Sequence, residues 1–140
     1  MNNLINYENS LDFYENIFYS KNYTEETIKI IIDRIAGTNP ALKDIFNSIF
    51  SDLPDDLKGN AAELIAGLIA SPDLETRNMA GSILLTIGKP SVVPLIKLLS
   101  DDNADNRKFA CDLLGNLKEK SAYPEIQNLF FRDNNFKPCP

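Results

Sequence analysis

Residues 71–100, SPDLETRNMAGSILLTIGKPSVVPLIKLLS, set above residues 101–130, DDNADNRKFACDLLGNLKEKSAYPEIQNLF, decide how this chain is read. Without a gap, Arg77 falls on Arg107, Ala80 on Ala110, Leu84 on Leu114 and Ser91 on Ser121. Pro94 falls on Pro124, Ile96 on Ile126 and Leu99 on Leu129, which makes seven identities in thirty positions. Ile83/Leu113 and Ile87/Leu117 add apolar matches. A further copy extends backwards less clearly, with Ala62, Ala66, Leu68 and Ile69 aligning with Val92, Ile96, Leu98 and Leu99. A fixed period carrying two helical patterns is the mark of a helical repeat array.

Each unit has a physical logic. A turn, Ser71-Pro72-Asp73 or Asp101-Asp102-Asn103, leads into a first helix that carries Met79, Ala80, Ile83, Leu84 and Ile87 on one face. A break at Gly88-Lys89-Pro90 opens a second helix, Val92 to Leu99. Neither helix can bury its stripe alone, so each pair must stack on its neighbours. Gly81 and Cys111 share a repeat position, where a small side chain lets helices approach closely.

Towards the amino terminus the pattern stays helical, with no strand alternation. Ser10 is placed to cap a first helix whose apolar side is Leu11, Phe13, Tyr14, Ile17 and Phe18. Thr24 is an N-cap residue, and Glu25 and Glu26 follow in the first turn, where the helix dipole favours carboxylates. Ile28, Ile31, Ile32 and Ile35 form the buried stripe of that helix, and Gly37 suits a left-handed stop. Asn39-Pro40 reads as a cap followed by proline at the first helical position. Ala41, Ile45, Phe46, Ile49, Phe50 and Leu53 then keep helical spacing until Pro54 ends the run.

The pattern Pro72-Asp73…Arg77…Ala80…Leu84…Ile87-Gly88, then Val92-Val93-Pro94-x-Ile96…Leu99, resembles HEAT repeats. It is most similar to the short variety, of roughly thirty residues, in phycobilin lyases and many bacterial proteins. The resemblance implies an all-α fold: an α-solenoid of HEAT-like helix pairs in a right-handed superhelix, with an N-terminal helical cap. Residues 1–140 form one domain, divided into the cap (1–37), a degenerate repeat (38–70), HEAT-like repeats at 71–100 and 101–130, and a tail (131–140). Residues 1–37 show no clear match to the repeat. The resemblance also implies a ladder of hydrogen bonds between repeats, formed by Asp73 with Arg77 and by Asn103 with Arg107. Asn103 departs from the pattern because it lacks the carboxylate. Lys118-Glu119-Lys120 replaces Gly88-Lys89-Pro90, and Glu125 and Asn128 replace Leu95 and Leu98.

Composition excludes several functions. The chain has no histidine, so a Ser-His or Cys-His nucleophile and an imidazole metal ligand are impossible. Fourteen Lys and Arg against twenty Asp and Glu give a formal charge of −6, which disfavours nucleic acid and anionic membrane. Two cysteines, Cys111 and Cys139, suit a reducing compartment better than a disulfide framework. The first residues lack the basic and apolar regions of a signal peptide, and the apolar clusters are too short to span a bilayer. A cytoplasmic location is expected, and the glycosylation triplet Asn22-Tyr23-Thr24 then carries no meaning.

The candidate sites are few, and no catalytic, cofactor or metal site is expected. Asp101-x-Asn103-x-Asp105 imitates the opening of a calcium loop but has Asn106 where glycine is needed and Asp112 in place of the closing glutamate. Arg77 and Arg107 suit anion clamps by chemistry, and structural ladder positions by their equivalence. Cys111 reads as a small buried packing residue and Cys139 as incidental. Asp55-Asp56 reads as a solvated turn.

The second helices carry more information. In the last unit Ala122, Tyr123, Ile126, Leu129 and Phe130 span about 120° of arc. Leu95 and Leu98 widen the middle unit's arc to about 220°, and Leu64, Ile65 and Leu68 do so in the unit before. The excess residues define a strip of Leu64, Leu68, Leu95 and Leu98, with Pro94 and Lys97 beside it. Either the N-terminal helices or the Phe131/Phe136 tail cover this strip, or it is a concave groove for a helix or peptide of another protein. As an open face it would tolerate charge at Leu95 and Leu98. The end at Leu129-Phe130-Phe131 has no polar cap, and the expectation is either self-association through the last repeat or a chain shorter than its relatives. The expected function is therefore a non-catalytic adaptor or regulatory module. By resemblance, the alternatives are a chromophore-handling protein like phycobilin lyases and, disfavoured by charge, a DNA-binding protein of the HEAT-like glycosylase kind.

Overall fold

A computed structural model describes residues 10–36 and 39–120, the side chains of 118–120 excepted. Among these residues the chain is all-helical, with no strand. Seven α-helices follow in order: α1 (Leu11–Ser20), α2 (Glu25–Ile35), α3 (Lys43–Asp52), α4 (Asp55–Ala66), α5 (Leu74–Ile87), α6 (Val92–Leu98) and α7 (Ala104–Lys120). Short 3₁₀ turns at Pro40–Leu42, Gly67–Ala70 and Lys89–Ser91 link some of them.

Local chemistry sets the helix ends. Ser10 stands at the N-cap of α1, and Lys21, in the left-handed conformation at φ 57°, closes it. Thr24 and Thr27 form a reciprocal capping box at α2: the Thr27 N–H donates to Thr24 Oγ1 at 3.1 Å and the Thr24 N–H to Thr27 Oγ1 at 2.9 Å. Asn39 Oδ1 accepts from the Ala41 N–H at 3.0 Å, so Pro40 opens its 3₁₀ turn at a position that needs no donor. Gly37, assigned as the stop of α2, lies outside the described residues. Gly88 ends α5 at φ 82°, a conformation that favours glycine. At the equivalent point α7 meets Lys118-Glu119-Lys120 and stays helical through Lys120. That departure from the repeat thus lengthens a helix.

The helices pack in two sets. The odd-numbered helices meet one another in order, α1 on α3, α3 on α5 and α5 on α7, while α2 meets α4 and α4 meets α6. The α4–α5 and α6–α7 contacts join the two sets. Burial repeats every thirty residues from α3 to α7 in the odd set and from α2 to α6 in the even set. In the odd set, Phe50, Ala80 and Ala110 are fully buried, and so are or nearly are Leu53, Ile83 and Leu113. In the even set the series are Ile31, Ala61, Ser91; Ile32, Ala62, Val92; and Ile35, Ile65, Leu95. Helix α2, for which the sequence showed no clear repeat match, therefore carries the period in its buried positions.

Two expectations about α6 are corrected. Leu95 is fully buried and Pro94 is buried, so neither belongs to an open strip. Helix α6 meets α4 on one side and α7 on the other, and a helix covered on both flanks needs an apolar arc wider than one stripe. The outward position near its start is held instead by Val93, 58% exposed. A third correction concerns Cys111, which is buried as expected but also disulfide-bonded. The chain's other cysteine, Cys139, lies outside the described residues. At the matching position, a Cβ on Gly81 would come within 3.0 Å of Phe109 Cε1, so the missing side chain is what lets α5 and α7 approach.

Leu95→Ala should therefore lower the stability of the chain by about 2–5 kcal/mol, as expected for a cavity in a packed core. Leu64→Ala, at a 55% exposed position, should change it by no more than about 0.5 kcal/mol. Urea denaturation followed by circular dichroism checks both, and equal midpoints for the two variants would show that Leu95 is not core.

Candidate functional site

The outer surface of the even set contains an apolar groove between α2 and α4. It encloses about 420 Å³ and is lined by Ile28, Leu57, Ala61 and Leu64, with Glu25, Lys29, Asn60 and Glu63 around them. On the α4 side the groove is lined by Asn60 and Ala61 between Leu57 and Leu64, opposite Ile28 of α2. The capping box at Thr24 places Glu25 in the first turn of α2, at the rim. The carbonyl of Pro54 accepts from the Leu57 and Lys58 N–H groups at 3.0 and 3.1 Å and so starts α4. Leu64 is 55% exposed on the wall of this groove.

Of the six residues assigned to a partner-binding strip, Leu64 and Lys97 face solvent. Lys97 Nζ donates to Glu63 Oε1 at 3.0 Å and links α6 to α4 beside Leu64. Both side chains are mostly exposed, so this ion pair contributes about 0–1 kcal/mol and acts mainly to shape the rim. Leu68 and Leu98 are half-buried and pack against the core. Leu68 lies in the Gly67–Ala70 3₁₀ turn, where the tighter winding moves it off the α-helical projection. Pro94 and Leu95 are interior. The sequence does not single out Ile28, Leu57 and Ala61 as site residues, because the repeat match stops short of α2 and so gives α4 no neighbour on that side. The aligned pairs Glu25-Glu26 and Asp55-Asp56, thirty residues apart, are the signal that would have placed α2 beside α4.

The expected ladder is also corrected. Asp73 Oδ2 accepts from the Thr76 hydroxyl at 2.6 Å and from its N–H at 3.2 Å, and so caps its own helix. Asn103 Oδ1 does the same for α7, accepting from the N–H groups of Asp105 and Asn106 at 2.8 and 3.3 Å. Arg107 Nη1 donates to the carbonyls of Asp101 and Asp102 at 2.7 and 3.0 Å, within its own turn. Arg77 Nε is buried with no hydrogen-bond partner. A lost carboxylate at 103 matters little for such a cap, since an amide oxygen accepts as a carboxylate does. The two turns match in detail: Ser71 Oγ accepts from the Asp73 N–H at 3.2 Å and Asp101 Oδ2 from the Asn103 N–H at 3.0 Å. Asp101 Oδ2 and Asn103 Oδ1 of the calcium-loop imitation are thus engaged by donors of the turn itself. Asp55 and Asp56 are exposed in the first turn of α4.

Hydrogen bonds between consecutive units come instead from residues the sequence did not single out. Thr86 Oγ1 donates to Asn47 Oδ1 at 2.7 Å, and Asn47 Nδ2 to Ser82 Oγ at 3.2 Å, tying α5 to α3. Asp52, at the end of α3, accepts from Lys21 Nζ and from the Tyr23 hydroxyl, the latter at 2.7 Å. These two donors, Lys21 first, hold the Asp52 carboxyl below the usual range. Burial, then the bond to Asp52 and its charge, push the Tyr23 hydroxyl up, so it remains a neutral donor.

Comparison with protein-family models, with curated proteins and with solved structures finds no match for this chain. No helix of the described residues is long and apolar enough to cross a membrane.

The turn carboxyls make a pH prediction. Asp73 is held low by the Thr76 hydroxyl and backbone donors, and Asp101 by the Asn106 amide, the Asn103 N–H and the charge of Arg107. Each releases its proton more readily in the folded chain than in the unfolded one. Their stabilisation is complete above the ordinary aspartate range, about pH 4, and is lost as pH falls through the lower folded values. Thermal melting from pH 6 to pH 2.5 should show this acid loss, and Asp73→Asn with Asp101→Asn should reduce it, leaving the part that belongs to Asp52. An unchanged slope in the double variant would count against these two groups.

Proposed function

We propose that this chain is a HEAT-like α-solenoid, a right-handed stack of helix pairs begun by the α1–α2 cap, and that it works as a non-catalytic protein-binding adaptor. The observation that carries the function is the α2–α4 groove with Leu64 exposed on its wall. The thirty-residue recurrence of burial, the matched turns and the alternating helix contacts support the architecture. A partner helix or peptide would bury apolar side chains against Ile28, Leu57, Ala61 and Leu64, while Glu25, Lys29 and the Glu63–Lys97 pair set its register at the rim. Self-association through residues 121–130 concerns a segment outside the described residues.

Leu64→Asp should keep the helical spectrum and melting temperature of the parent while removing partner capture by at least about tenfold, equivalent to 1.4 kcal/mol. Tyr19→Asp, on the exposed side of α1, serves as control and should retain the partner. Hydrogen exchange in the presence of the captured protein should slow in α2 and α4. A partner held equally by both variants, or protection confined to the odd helices, would overturn the assignment.

The cytoplasmic location proposed from the cysteine count sits poorly with a disulfide at Cys111. Rapid acid quench and alkylation of cells, followed by mass spectrometry, should find Cys111 unmodified by the alkylating reagent if the bond persists there. Full alkylation at Cys111 would restore the reducing setting and leave this cysteine as a buried packing residue.

A further inference from the structure

We draw no further inference here: the strongest candidate, the apolar groove between α2 and α4 lined by Ile28, Leu57, Ala61 and Leu64, belongs to the site already described, and nothing in the structure shows what covers it.

Discussion

Ile35, Ile65 and Leu95 stand thirty residues apart on three successive even-numbered helices, and all three are buried. Most of the structure depends on this register. A helix flanked on both sides within its set must offer an apolar residue at a fixed place, or its neighbours lose their contacts. The odd set obeys the same constraint through Phe50, Ala80 and Ala110, where side-chain volume shrinks along the chain while the position stays closed. At Gly81 a Cβ would come within 3.0 Å of Phe109 Cε1, so the packing leaves no room there for a side chain.

Polar chemistry holds the joints between these apolar series. The turns before α5 and α7 spend their side-chain oxygens on their own helix N-termini, through Asp73 in one and Asn103 in the other. Helix N-termini leave N–H groups unsatisfied, and a cap within the turn answers that need without a partner from another unit. Links between units run through Asn47, Ser82 and Thr86, at half-buried positions where hydroxyl and amide groups satisfy one another. The buried Ser91 follows the same rule by donating to the Leu84 carbonyl at 2.7 Å.

The groove is the place where the packing rule is relaxed. Between Leu57 and Leu64 of α4 stand only Asn60 and Ala61 on this face, and the two helices do not fill the surface between them. Ile28 and Ala61 remain buried as its floor, whereas Leu57 is half-covered and Leu64 stands out. Such apolar exposure costs solvation free energy unless something covers it. The acid–base neighbours at its rim are largely self-neutralising, and the apolar walls therefore dominate its character.

Much of this was legible in the sequence. The helices, the cap at Thr24, the stop at Gly88, the buried stripe of Ile28, Ile31, Ile32 and Ile35 and the thirty-residue period all follow from local propensity and spacing. The candidate site was legible only in part, through Leu64 and Lys97. Periodicity within one helix defines its faces but not how many neighbours it has, and Glu125 in the last unit made Leu95 look outward. Only the tertiary structure decided that α6 lies between α4 and α7, which encloses Leu95 and Pro94. It also decided that α2 stands beside α4, since a groove belongs to the gap between two helices and to neither sequence alone.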